Sequence, residues 1–173
     1  MKLLPIAALA ALLCSLALPT DPLPAPQPAF HCQVPCGIYG DKMRIDMMME
    51  DLATIDKAMA SLRAMDAEEN PSKNQMVRWV MAKEEHAQHI QTRVASYWLA
   101  QRVKLKKEDG GKEKYLAQLT LTHQITVAAM KCKQTTDAGN AATLKRAILE
   151  FKSSYFGEED AEHIREHHGD GHK

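Results

Sequence analysis

The chain has 173 residues and carries 22 Lys and Arg against 22 Asp and Glu, so its formal net charge is zero. This balance gives no field to attract a nucleic acid, and the length suits one compact domain with additional segments. Ten Met, only three Phe and much Ala, Leu, Lys, Glu and Gln predict an all-α protein, because unbranched side chains lose little rotamer freedom in a helix.

The first thirty residues are predicted to be an export signal and a spacer. Met1-Lys2 is a short positive start, residues 3–18 are an apolar run too short for a membrane span, and Ser15-Leu16-Ala17 resembles a cleavage site. Residues 18–30 contain five prolines and should form an extended, protease-accessible propeptide. We expect cleavage after residue 17, a periplasmic or extracellular location, and no membrane contact after processing. An uncleaved anchor is the alternative, and a lipid on Cys14 is disfavoured because the preceding Leu13 is not small.

Apolar spacing places four helices on residues 41–156. Their predicted bounds are about Asp41–Met65, Asn70–Lys106, Lys112–Thr135 and Asn140–Phe156, with Asn70 as the N-cap of the second helix. The apolar stripe of the third helix includes Met130, and the Met-rich stripe of the first is interpreted as core or subunit interface. Because the connections are short, sequential helices should be antiparallel neighbours, which predicts an up-down-up-down four-helix bundle.

The segment His31 to Tyr39, HCQVPCGIY, lies between the spacer and the first helix and carries the most chemistry. Cys32 and Cys36 are four residues apart, with Pro35 between them, so a tight hook can turn both sulfurs toward one point. This spacing alone fits a metal chelate, a small disulfide loop or half of a zinc site. Against zinc, the sequence offers no second Cys pair and no suitably spaced Cys or His partner to complete four ligands.

The pattern His-Cys-x-x-Pro-Cys-Gly-x-Tyr resembles the nickel hook at the mature N-terminus of nickel superoxide dismutases. Further similarity occurs at Arg44-Ile45-Asp46, Lys83-Glu84-Glu85 and Trp98, and together the resemblance covers about residues 31–156. It implies a hook at residues 31–40 followed by a four-helix bundle, one nickel ion per subunit, superoxide as the substrate and a homohexamer.

The resemblance also implies which residues hold the metal. Nickel would be bound by the α-amino nitrogen of His31, the backbone nitrogen of Cys32 and the thiolates of Cys32 and Cys36, with the His31 imidazole as an axial ligand. Pro35 would set the turn of the hook through a cis peptide bond. Tyr39 would stand beside the open axial face, so Tyr39 and His31 are the candidate catalytic residues. A processing protease must expose the His31 amine, because a peptide bond to Phe30 blocks it.

Two residues of the bundle are implied to support the hook. Asp46 lies where the family usually has a Glu that hydrogen-bonds the ring of His31. His86 occupies the place of an Arg that supports this carboxylate, so the charge there can depend on pH. His89, one turn after His86, and His123 on another helix permit a metal site, although scattered bundle histidines are more often polar partners.

The remaining features have simpler interpretations. Cys132 is interpreted as an ordinary helix thiol. Residues 157–173 form an acidic tail with four histidines, which is either a flexible solvated segment or a weak nickel-binding arm, the histidines being His163, His167, His168 and His172. Two rival functions remain open: an exported carrier of nickel or copper, and a structural bundle with a Cys32–Cys36 disulfide.

Overall fold

A computed structural model describes residues 39–105 and 111–157 of the chain. Its helices are α1 (Asp41–Asp66), α2 (Lys73–Arg93), a π-helical segment (Val94–Arg102) that continues α2, α3 (Gly111–Gln134) and α4 (Ala138–Phe156). Consecutive helices pack on one another and α1 also packs on α4, which closes the bundle. The prediction of an all-α four-helix bundle is confirmed. Cys32, Cys36 and the other predictions on residues 1–38 and 158–173 lie outside the described residues.

The core of the bundle follows the apolar stripe expected for α1. Ile45, Met48, Ile55 and Met59 are completely buried there, at the helical spacing that keeps side chains on one face. The interpretation of the Met-rich stripe as core is thus confirmed at positions 48 and 59. Within the described residues, none of the helices is both long and apolar enough to cross a membrane.

The prediction that Met130 lies in the core is wrong. Its side chain is 41% exposed, whereas Ala129 and Cys132 on the same helix are completely buried. These two residues lie four and seven positions after the buried Ile125, which is the spacing of one helical face. Met130 lies five positions after Ile125, which turns it about 140° around the helix axis and into solvent.

Two helix starts differ from the prediction because other residues act as N-caps. Helix α2 begins after Ser72, whose backbone is extended and whose carbonyl accepts the Met76 N–H at 3.0 Å, rather than after Asn70. Helix α4 begins after Asp137, whose carboxylate accepts the backbone N–H of Gly139 at 2.9 Å. Ser, Asp and Asn are all favoured N-caps, so their presence close together leaves the first turn ambiguous in the sequence.

The largest difference is in the second predicted helix, which was expected to remain α-helical to about Lys106. The α-helix ends at Arg93, and the following nine residues are π-helical, as in the 2.8 Å hydrogen bond from the Val103 N–H to the Trp98 carbonyl. Bonding between residues five apart stacks such residues along one face, whereas an α-helix separates them by about 140°. Tyr97 and Arg102 therefore project toward the same place, the beginning of α1.

Candidate functional site

The described residues form two polar clusters near positions that the sequence singled out. We call them the Asp41 cluster, made of Tyr39, Asp41, Tyr97, Arg102 and Tyr155, and the Asp51 cluster, made of Asp51, His86, His89 and Arg93. Of the predicted nickel-site residues, Tyr39, Asp46 and His86 are described, whereas the rest lie outside the described residues, namely His31, Cys32, Pro35 and Cys36.

The Asp41 cluster joins three helical elements at one carboxylate. Arg102 binds Asp41 at two points, with Nε at 2.9 Å from Oδ1 and Nη2 at 2.5 Å from Oδ2. The hydroxyl of Tyr97 donates to Oδ1, and that of Tyr155 donates to Oδ2 at 2.7 Å. The first residue of α1 is thus fixed to the π-helical segment and to α4. The sequence does not reveal Asp41, Tyr97 and Arg102 as a group, because only π-helical geometry aligns Tyr97 with Arg102.

Tyr39 rests on this cluster two residues before Asp41. The guanidinium carbon of Arg102 lies 4.2 Å from the centre of the Tyr39 ring, and the ring meets Tyr97 edge to face at a centroid distance of 6.1 Å. A cation over an aromatic face is attracted by the ring quadrupole. Tyr39 nevertheless remains 38% exposed. The last residue of the predicted nickel motif is therefore anchored by its ring and still accessible to solvent.

The Asp41 cluster has a defined charge state at neutral pH. Burial raises the pKa of the Asp41 carboxyl, but donation by Arg102, Tyr97 and Tyr155 outweighs burial and leaves this pKa below its ordinary value. Burial and the hydrogen bond to Asp41 raise the pKa of Tyr97, and the same two causes raise the pKa of Tyr155 to about 12. The bond to Asp41 also raises the pKa of Arg102. At neutral pH the Asp41 carboxylate is therefore paired with a guanidinium and accepts hydrogen bonds from the neutral phenols of Tyr97 and Tyr155.

An aromatic group beneath the Asp41 cluster holds these side chains in place. Trp98 is completely buried, and its ring centroid lies 4.9 Å from those of Phe151 and Tyr155 and 5.1 Å from that of Tyr97. The guanidinium carbon of Arg44 also lies 5.0 Å from the centre of the Tyr97 ring. Edge-to-face pairs of this kind contribute beyond the buried area alone. The π-helical segment and α4 are thus packed firmly where they bind Asp41.

The position of His86 corrects one expectation from the sequence. Asp46 pairs with Lys42 at 3.0 Å, and both side chains are about 40% exposed. His86 instead contacts Asp51, with Nδ1 at 2.7 Å from Oδ1. Asp46 and Asp51 are five residues apart, and so lie about 140° apart around α1 and face different neighbours. Among the described residues, the carboxylate that His86 supports is Asp51 and not Asp46. The contact expected between Asp46 and His31 stays a prediction.

The Asp51 cluster links α1 to α2 through a nearly buried carboxylate, which is 8% exposed. Oδ1 of Asp51 faces Nδ1 of His86 at 2.7 Å and Nδ1 of His89 at 3.5 Å, while Arg93 Nη1 lies 2.5 Å from Oδ2. The spacing of His86 and His89 pairs them in the sequence, but Asp51 was not recognised as their partner. The sequence does contain a sign that Asp51 is buried, because this residue interrupts the apolar stripe of α1 three residues after Met48.

The other singled-out residues lie elsewhere. His123 is exposed on α3 and lines a surface depression with Arg146 and Glu150, so it is not part of the Asp51 cluster. Cys132 is completely buried, and burial raises the pKa of its thiol to about 11. Such a thiol is a poor nucleophile and a poor metal ligand at neutral pH, in agreement with an ordinary structural role.

One comparison with known proteins identifies a family. The family model described as nickel-containing superoxide dismutase matches residues 26–159, a range that includes the His31–Tyr39 motif and all four helices. Neither the curated proteins nor the solved structures yielded a match to the chain.

Proposed function

The chain belongs to the nickel-containing superoxide dismutase family, and from that premise we propose that it disproportionates superoxide to dioxygen and hydrogen peroxide with one nickel ion per subunit. The observation that carries this proposal is the extent of the family match, which spans both the His31–Tyr39 motif and the bundle behind it. A short Cys-containing loop by itself would fit a disulfide or a zinc site equally well.

The donor set that the sequence offers suits nickel. His31 would supply its amine and imidazole, and Cys32 and Cys36 would supply two thiolates, with the backbone nitrogen of Cys32 as a further donor. These two thiolates and the nitrogen donors would together suit Ni(II). When bound, nickel would supply a one-electron couple between its divalent and trivalent states, which both half-reactions of superoxide require.

The described residues support a positioning role for the end of the motif. Tyr39 is held against Arg102 and Tyr97, and Arg102 is itself held by both carboxylate oxygens of Asp41. Asp41 thus largely balances the charge of Arg102. Arg102 therefore acts on Tyr39 by packing against its ring, and not by attracting an anion over a long distance. We infer that Tyr39 fixes where the hook meets the bundle and presents its hydroxyl to the approaching substrate.

Maturation is part of the proposal. Coordination by the His31 amine requires a nitrogen that is not in a peptide bond and that loses a proton, whose ordinary pKa is about 7.7 to 8.0. Residues 1–17 would direct export to the periplasm or the exterior, and removal of residues 18–30 would release this amine. The precursor would therefore fold without being active. By resemblance, the mature subunits would assemble as a homohexamer.

The test compares two purified forms of the protein, one beginning at His31 and the other at Phe30. After loading with nickel, we expect superoxide dismutation from the first form only, with matching helical circular dichroism from both. Cys32→Ser and Cys36→Ser in the first form should abolish the sulfur-to-nickel absorption together with the activity. Equal activity of the two forms, with mass spectrometry confirming that Phe30 is retained, would overturn the proposed amine ligand. Nickel binding without dismutation would favour the carrier function instead.

A further inference from the structure

A group of side chains outside the predicted hook has the composition of a metal site. Asp51, His86 and His89 each offer one ligand atom, and the three atoms lie within 4.8 Å of one another. We propose that these residues form a second metal site of this protein, built from two imidazoles and one carboxylate, that binds a zinc-like divalent cation. This proposal does not depend on the dismutase reaction.

The distances in this group are close to those that a bound ion imposes. Ligand atoms about 2.0 to 2.1 Å from one cation lie about 2.9 to 3.4 Å from each other in octahedral or tetrahedral geometry. Oδ1 of Asp51 lies 2.7 Å from Nδ1 of His86 and 3.5 Å from Nδ1 of His89. The imidazole rings are 5.4 Å apart and inclined by 73°, so they do not stack. Adjustment of the two accessible imidazoles would bring both nitrogens and the oxygen, which all lie within 4.8 Å of one another, to one ion.

The backbone that carries these ligands is regular. His86 and His89 are three residues apart on α2, which places them on one face of the helix, and Asp51 projects from the neighbouring α1. These two helices pack directly on each other. Ligands on packed helices are held more precisely than ligands on loops. A bound ion would therefore join α1 to α2 without reorganising either helix.

Arg93 determines how the carboxylate can bind and which ions suit the site. Its Nη1 lies 2.5 Å from Oδ2 of Asp51, which leaves Oδ1 directed at the two imidazoles. This is how an outer hydrogen-bond partner orients a metal-binding carboxylate. Arg93 also balances the charge of Asp51, so binding would depend on the imidazoles rather than on a negative field. Mg²⁺ and Ca²⁺ prefer several oxygens, whereas Zn²⁺, Ni²⁺ and Cu²⁺ bind imidazole well.

An ion can reach this site from solvent. The side chains of His86 and His89 are 32% and 46% exposed, whereas that of Asp51 is 8% exposed. The carboxylate thus forms the floor of the site and the imidazoles form its open side, where water can complete the coordination. Asp51 is also ten residues along α1 from Asp41, a rise of about 15 Å, so the site is separate from the place where Tyr39 is anchored.

The experiment measures Zn²⁺ binding by calorimetry in a full-length background that lacks the other predicted ligands. This background carries His31→Asn, Cys32→Ser and Cys36→Ser, together with His163→Asn, His167→Asn, His168→Asn and His172→Asn. We expect one Zn²⁺ per chain. His86→Gln and His89→Gln should each weaken binding at least about 10-fold, since loss of a direct ligand costs no less than loss of an outer partner. The matched control, His123→Gln, changes an exposed histidine on α3 and should bind normally.

Thermal unfolding separates binding at this site from a change in folding. Zn²⁺ should raise the melting temperature of the background and of His123→Gln by several degrees, because it binds the native state, and should not raise that of His86→Gln. Circular dichroism without metal will establish that the variants are helical. If His86→Gln does not fold, His89→Gln takes its place in the thermal unfolding test. Absence of Zn²⁺ binding in the background would overturn the proposal. Zn²⁺ binding that is unchanged in both His86→Gln and His89→Gln would also overturn it. Loss of Zn²⁺ binding in His123→Gln would overturn it as well.

Discussion

The guanidinium of Arg102 meets the carboxylate of Asp41 at two points, through Nε at 2.9 Å and Nη2 at 2.5 Å. The pair joins the last residue of the π-helical segment to the first residue of α1. Because Arg102 also lies under the ring of Tyr39, the same pair fixes the chain at the point where the predicted nickel hook meets the bundle. Stability and site geometry should therefore respond together when this pair is changed.

Asp41→Asn should destabilise the protein measurably. The change removes a two-point pair whose side chains are only 15% and 26% exposed and leaves the guanidinium without its counter-charge. A hydrogen bond to a charged group contributes about 1.5 to 3 kcal/mol, and we expect a loss in that range from urea unfolding followed by circular dichroism. Asp46→Asn is the matched control, because its exposed pair with Lys42 should contribute less than about 0.5 kcal/mol. Equal losses in the two variants would contradict the assignment.

The Asp41 carboxyl should also make stability depend on pH in the acid range. Its pKa is lower in the folded state than the ordinary 3.8, so its stabilising contribution is present above about pH 4 and is lost as the pH falls through the folded-state pKa. The difference in unfolding free energy between the wild type and Asp41→Asn should therefore narrow as the pH is lowered below 4. Urea titrations across this range measure it. A difference that is constant with pH would show that packing, and not charge, is responsible.

Replacements of Tyr39 should separate its ring from its hydroxyl. Tyr39→Phe keeps the aromatic face against Arg102, so nickel content and stability should be preserved while the saturation behaviour or peroxide sensitivity of dismutation changes. Tyr39→Ala loses the ring as well and should disturb the hook. Nickel analysis and the kinetics of superoxide decay measure the two effects. If Tyr39→Phe loses nickel as completely as Cys32→Ser does, then the Tyr39 hydroxyl is needed for the structure of the hook.

Cys132 should be unreactive in the native protein. Burial raises the pKa of its thiol from 9.0 to about 11, which lowers the thiolate population at pH 8 about 100-fold before access is considered. A variant that keeps Cys132 and carries Cys14→Ser, Cys32→Ser and Cys36→Ser should react very slowly with iodoacetamide until denaturant is added. Peptide mapping by mass spectrometry identifies the labelled residue. Rapid labelling of the native protein would contradict the buried position.

Much of the fold was predictable because its signals are local in the sequence. The stripe containing Ile45, Met48 and Ile55 defines α1, and short connections make consecutive helices neighbours. The hook is also a local signal, since its nine residues carry a distinctive pattern, and the family match now supports it. The ligand assignments to His31, Cys32 and Cys36 remain predictions. The beginning of α2 was less certain, because Asn70 and Ser72 are both good N-caps two residues apart.

What the sequence could not determine is which side chains meet across helices. His86 was recognisable as a residue that would support a carboxylate, but the choice of Asp51 over Asp46 depends on how α1 is rotated against α2. The alignment of Tyr97 with Arg102 likewise depends on hydrogen bonding between residues five apart, which the local sequence does not indicate. Composition, apolar period and the Cys motif thus determined the helices and the candidate chemistry. Tertiary packing decided the polar partners, because a contact between two helices is fixed by their relative rotation and not by either sequence alone.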